Sequence, residues 1–185
     1  MALLFGNEHI AVVDESLHVA EELVNDFFSV TRMLWIRNPY EVCTLQEIDK
    51  TIFDSNDKVF AHLLIYERPF YDKKSGGDRR NWLYRICLND TAIMEMTDYG
   101  ARDKLFPFLV YVLTHELAHI VRFGRYDCCF DVYDRLDEER RVHKITRDIL
   151  SKRTISGLEP VIEFFRSCIE HIDSKARKED CYAYL

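Results

Sequence analysis

The sequence predicts an α+β domain: amphipathic helices at both ends, a small sheet between them, and two further helices that carry metal-binding residue types. Three observations lead there. Apolar residues recur at three- and four-residue steps near both ends of the chain. Two short runs between them are rich in β-branched and aromatic residues. The most apolar stretch, Leu105 to Phe123, contains His115-Glu116-Leu117-Ala118-His119. The length of 185 residues suits one domain, 1–185, with a single substantial core. With 48% hydrophobic and 31% charged residues, the chain is globular rather than disordered.

From Asp14 to Trp35, Leu17, Ala20, Leu23, Val24, Phe27, Val30 and Leu34 form an apolar stripe between acidic and amide residues, so this is an amphipathic helix. Asp14 is its expected cap and Asn38-Pro39 its stop. Thr44 to Phe53 reads as a short helix, with Thr44 and Glu47 spaced as a capping box. Lys58 to Tyr66 and Trp82 to Leu88 read as strands, and Ala92 to Met96 as a short third one. The stretch Tyr71 to Asn81 carries Ser75-Gly76-Gly77-Asp78 and is expected to be an exposed loop joining an antiparallel pair. Its basic residues Lys73, Lys74, Arg79 and Arg80 read as a solvated loop in an acidic protein. A long helix opens at Asp103 or Lys104, tolerates Pro107 in its first turns and ends at Gly124. After a loop, a helix spans Leu136 to Lys152, and Gly157 breaks it. The last helix starts at Glu159-Pro160 and carries the stripe Leu158, Val161, Ile162, Phe165, Cys168, Ile169 and Ile172; the tail 175–185 is expected to fray.

A net charge of −7 gives no general attraction to nucleic acid or anionic lipid, so neither is expected as a partner. The residues Met1 to Glu8 lack a basic leader, and the run Leu105 to Leu113 is too short to span a bilayer before His115 interrupts it. The expectation is a cytoplasmic protein whose six cysteines are mostly reduced and several simply buried. The adjacent pair Cys128-Cys129 falls in the loop after the motif helix, where packing is the plainer reading. The oligomeric state is not legible.

Residues four apart share a helix face, so His115 and His119 can point at one ion while Glu116 stays within reach of a water beside it. The surrounding helix is apolar on nearly every face and therefore buried. Two imidazoles and a carboxylate inside it each cost a few kcal/mol without partners, and a divalent cation satisfies all three. A catalytic zinc site has three protein ligands and one open position. A third histidine six residues beyond the second is excluded, because Arg125 stands there. A carboxylate from the next helix is the alternative. At 100° per residue, Glu139 and His143 fall together beside the inward face of that helix, which Val142, Ile145, Thr146, Ile149 and Leu150 define. Glu138 lies at the other margin, where periodicity alone does not reject it. The company of His143 favours Glu139.

These two motifs together resemble the zincin metallopeptidases, and within them the thermolysin-like gluzincin branch. There, a His-Glu-x-x-His helix is followed by a ligand glutamate on a second helix, and a polar residue four positions further often buttresses a zinc-binding histidine. Here the motifs are His115-Glu116-Leu117-Ala118-His119 and Glu138-Glu139-Arg140-Arg141-Val142-His143, with Glu139 twenty positions after His119. The likeness covers roughly residues 59–150, and only the two motifs are specific. It implies a zincin-like fold: a small antiparallel or mixed sheet, an active-site helix, a glutamate helix and flanking terminal helices. One zinc ion would be held by His115, His119 and Glu139. Position 143 departs from the branch, which more often has aspartate there. His143 either orients His115 or His119 without touching the ion or is a fourth ligand; a closed His3Glu site would be structural, or suit iron or manganese.

The activity implied is hydrolysis of a peptide bond in a peptide or protein substrate, with zinc lowering the pKa of a water and Glu116 taking the proton and passing it to the leaving amine. The resemblance places the substrate along a sheet edge, at Trp82–Leu88 or its neighbour. Tyr126 and Tyr133 are candidates for stabilising the oxyanion, as is Arg125. The isolated His9, His18, His62 and His171 read as surface or satisfied core residues.

Overall fold

The computed structural model describes residues 3–48, 52–53, 59–71, 78–125 and 135–175. Among them are six helices and a three-stranded mixed sheet, which is the α+β class. The first helix, α1, spans Asn7–Phe28 rather than starting at Asp14. Its beginning is fixed by His9, whose Nδ1 accepts the Gly6 N–H at 2.9 Å. It also stops early. Ser29 takes a left-handed conformation (φ 50) and donates its N–H to the Asn25 and Asp26 carbonyls. The run Ser29, Val30, Thr31 has weak helical preference, so the expected single helix breaks there and restarts as α2, Arg32–Arg37.

The expected helix at Thr44 to Phe53 does not form within the described residues. Tyr40–Cys43 instead makes strand β1, followed by one turn in which Thr44 N–H donates to Glu47 Oε2 at 3.0 Å. Tertiary pairing outweighs local preference: β1 runs parallel to β3, and Leu45 N–H donates to the buried Asp90 carboxylate at 3.0 Å. Strands β2 (Ala61–Tyr71) and β3 (Asp78–Leu88) form the expected antiparallel pair, both longer than the sequence suggests. The order is β1-β3-β2. Residues 92–96 are helical, not a strand. Asn89 accepts the Ala92 N–H at 3.2 Å and starts α3, Asp90–Met96; a cap signal decides a run too short and apolar to tell helix from strand.

Helix α4, Arg102–Gly124, is the core of the molecule. It is long and apolar enough to cross a membrane, yet 89% of its most apolar window is buried inside the protein. Helix α1 lies along one side, where the small residues Ser16 and Ala20 are fully buried and Ser16 Oγ donates to the Phe106 carbonyl at 3.4 Å. Helices α5 (Arg135–Leu150) and α6 (Leu158–Lys175) cover other sides. Gly124 ends α4 for a steric reason. A Cβ there would stand 2.6 Å from Asn38 Nδ2, so the glycine admits the α2–β1 junction against the helix end. Gly157, at φ +78, turns the chain into α6 close against the Asp103 carbonyl, the carbonyl that Pro107 leaves without its helical N–H partner.

Three described cysteines are free thiols: Cys43 and Cys87 are buried register partners on β1 and β3, and Cys168 is half-buried. Residues Cys128, Cys129 and Cys181 lie outside the described residues, as do Lys73, Lys74 and the tail 176–185.

Candidate metal centre

Helix α4 presents Tyr111, His115 and His119 at four-residue steps toward α5, which returns Glu139 and His143 at the same spacing. The result is a small convergence of donor atoms between two helices. His115 Nε2 stands 3.1 Å from His119 Nε2 and 3.2 Å from Glu139 Oε2, and His119 Nε2 is 3.3 Å from Glu139 Oε2. For bonds of about 2.0–2.1 Å, ligand atoms around a tetrahedral ion are separated by about 3.3–3.4 Å. The triangle therefore has close to the edge length that such an ion requires. A second set overlaps it: the ligand atoms of His115, Glu139 and His143 all lie within 4.8 Å of one another. The two sets share His115 and Glu139, and the first is the tighter.

Protons alone satisfy this cluster poorly. Whichever tautomers the two imidazoles take, at least one of the three contacts sets two lone pairs or two N–H groups against each other. His115 is fully buried and His119 nearly so, and neither Nδ1 has a hydrogen-bond partner among the described residues. Packing orients the rings instead. His115 lies against the His143 ring with centroids 4.3 Å apart, and His119 stacks on Phe123 at 5.6 Å. The donor set and the converging geometry fit a divalent cation.

Burial pushes the His115 imidazole down to about 4, against the opposing pull of Glu139. Burial also acts downward on His119, but the Glu139 hydrogen bond and the Glu139 and Glu116 charges outweigh it and raise that ring. Burial works against the Glu139 carboxylate, yet its bonds to His115 and His119 hold it well below the usual range. The Glu139 carboxylate thus favours a proton on His119 over one on His115 in the cation-free cluster. The Glu139 side chain is 28% exposed and supplies the solvent-facing side of the group.

Glu116 is buried on the sheet side of α4, near enough to β3 for its charge to act on the Cys87 thiol. Burial lifts its carboxyl to about 7, with the neighbouring Glu139 charge adding to the rise and His119 opposing it. His143 is driven down to about 2 by burial and by the neighbouring His115, so it is neutral. No hydrogen bond joins it to His115 or His119 among the described residues; its Nδ1 is paired with the Tyr111 hydroxyl at 3.0 Å. Tyr111 in turn stacks flat on Phe165 of α6, with centroids 4.1 Å apart.

Comparison with known protein families, curated proteins and solved structures finds no match. The site must speak through its own chemistry.

The geometry decides between the two glutamates of α5. Glu138 accepts two N–H groups from Arg122, at 2.6 and 2.8 Å, and is committed to that fork. Glu139 meets the histidines. Sequence periodicity missed the Arg122–Glu138 pair, although an arginine inside an otherwise apolar run was a visible sign of a buried partner. It also missed Tyr111, four residues before His115. Arg125 is not at the site: its guanidinium donates to the Phe28 carbonyl at 2.6 Å and lies over the Phe28 ring. Tyr126 and Tyr133 lie outside the described residues. The strand Trp82–Leu88 is not an edge throughout, because Tyr84–Cys87 pairs with β1 on one side and β2 on the other. The isolated histidines have local roles or none: His9 caps α1, His62 stacks on Phe53, and His18 is exposed.

Proposed function

We propose that this protein is a zinc-dependent hydrolase of peptide bonds, with His115, His119 and Glu139 as ligands and Glu116 as general base. The observation that carries the reading is the near-equilateral triangle of 3.1, 3.2 and 3.3 Å drawn by one donor atom from each ligand residue. Zinc bound there supplies a Lewis acid that polarises a carbonyl and acidifies a water. The protein's own contribution is positional. Glu116 follows the first ligand on the same rigid helix, and its carboxyl is buried and so placed to accept a proton and return it. Zinc as the ion, and peptide as the substrate, rest on the resemblance of the two motifs to the gluzincin branch. So does the zincin-like reading of the α+β fold. In this reading a peptide would lie along β2, on the side where no strand among the described residues pairs with it, or along the part of β3 before Tyr84, where only β2 does.

The test is cleavage of an unstructured protein by zinc-loaded wild-type and Glu116→Gln proteins. Cleavage lost in the variant, with zinc still bound one to one, supports the assignment. Undiminished cleavage refutes it.

A second reading follows from His143, whose ligand atom lies within 4.8 Å of those of His115 and Glu139. Its role depends on the tautomer that Tyr111 selects. If Nδ1–H donates to the Tyr111 oxygen, Nε2 has a free lone pair and the site is a closed His3Glu centre suited to structural zinc, iron or manganese. Metal affinity in His143→Ala discriminates: a severe loss marks a fourth ligand, and a small change marks an open three-ligand centre.

A further inference from the structure

Among the described side chains of the first turn of α5, Glu138 is the buried one. Leu136 is 36% exposed, Asp137 is exposed, and the first apolar residue of α5 that becomes buried is Val142. Between them, Glu138 is 9% exposed and takes the two-pronged bond from Arg122, itself 7% exposed. Arg141 stands further off, 3.7 Å from the same carboxylate. Arg122 follows His119 by three residues, and Glu138 immediately precedes Glu139.

We propose that Arg122 and Glu138 are the positioning pair of the metal centre. This rests on the metal-centre reading and is independent of peptidase activity. Helix α4 is encased and fixed, so the guanidinium is a rigid reference point. A planar fork bonded to both carboxylate oxygens sets height and rotation together, which a non-directional apolar contact does not. Successive helical residues point about 100° apart. With Glu138 seated on Arg122, the adjacent Glu139 faces His115 and His119, and Glu138 is withheld from the cluster. The Tyr111–His143 bond fixes the next turn of α5 on the far side of Glu139. The cluster thus lies between two contacts that need no ion, and the centre is pre-organised before metal arrives.

The test replaces the fork in a way that spares stability. Exchanging a buried ion pair for apolar side chains is often neutral or stabilising, so Arg122→Met/Glu138→Leu should melt, metal-free, at or above the wild-type temperature. Its zinc and cobalt dissociation constants, measured by competition with a chromophoric chelator, should rise about tenfold or more. The d–d absorption spectrum of its cobalt form should change as the ligand geometry loosens. Arg122→Lys keeps the charge and loses the fork; it should weaken binding in the same direction. Wild-type affinity and an unchanged cobalt spectrum in either folded variant would overturn the proposal. Failure of the wild-type protein to bind zinc or cobalt would overturn the metal centre itself.

Discussion

Replacing Glu116 by Gln should stabilise the metal-free protein at alkaline pH, in the direction opposite to an ordinary loss of a native side chain. Burial lifts this carboxyl from 4.5 to about 7. The folded value lies above the unfolded one, so between those limits the native state keeps a proton that the unfolded chain has released. The group therefore costs nothing below pH 4.5, and its penalty is fully developed once pH rises past about 7. The complete penalty corresponds to about 3 kcal/mol. About 2 kcal/mol of it develops between about pH 5.5 and about pH 8. Glutamine is neutral throughout, and whatever its buried amide costs is the same at both pH values. The assay is thermal or urea unfolding of chelator-treated wild-type and variant proteins at these two conditions. The stability difference should move in the variant's favour by about 2 kcal/mol on going to the higher pH, or by roughly 4–8 °C in melting temperature for a chain of this size. A difference that does not change with pH would refute the claim that Glu116 is held in a desolvated site, and with it the poised general base.

Two further outcomes can be checked directly. Zinc at about one hundred times its dissociation constant should stabilise the chelator-treated protein by about 2.7 kcal/mol. Because the Glu139 and Glu116 charges raise the proton affinity of His119, that stabilisation should weaken as pH falls and protons compete with the ion; identical melting curves with and without zinc at neutral pH would contradict it. Asp90→Ala should destabilise the protein by about 2–4 kcal/mol, because the Phe5 and Leu45 N–H groups, each 3.0 Å from its carboxylate, lose a buried acceptor. Denaturant unfolding of the variant measures this, and a loss under about 0.5 kcal/mol would show that Asp90 is not the anchor of the N-terminal segment and the β1 turn.

Long, strongly patterned stretches were readable from composition and period. Helix α4 was expected within a residue or two of where it lies, because its apolar run is bounded by charged residues at one end and Gly124 at the other. The β2–β3 pair and the terminal helices followed for the same reason. The misreadings fell on short segments whose local preferences were weak. Thr44 and Glu47 carry a helix-start signal, and the chain makes only one turn there, where the Asp90 carboxylate takes the Leu45 N–H. Residues 92–96 are a short, mostly apolar run expected to be a strand, and the Asn89 cap made them a helix. The break at Ser29 turned one expected helix into two.

The sequence by itself determined which side chains share a helix face. A four-residue spacing puts His115 beside His119, and Glu139 beside His143, whatever the rest of the chain does. It also determined that α4 must be kept from water, because it is apolar on nearly every side; its cover by the surrounding elements is a matter of tertiary packing. Only the tertiary structure decided which face of α5 meets α4. That choice depends on contacts between residues far apart in the chain: Arg122 with Glu138, and Tyr111 with His143. Those two pairs claim Glu138 and turn His143 toward Tyr111. Glu139 is then the carboxylate that stands beside the two histidines.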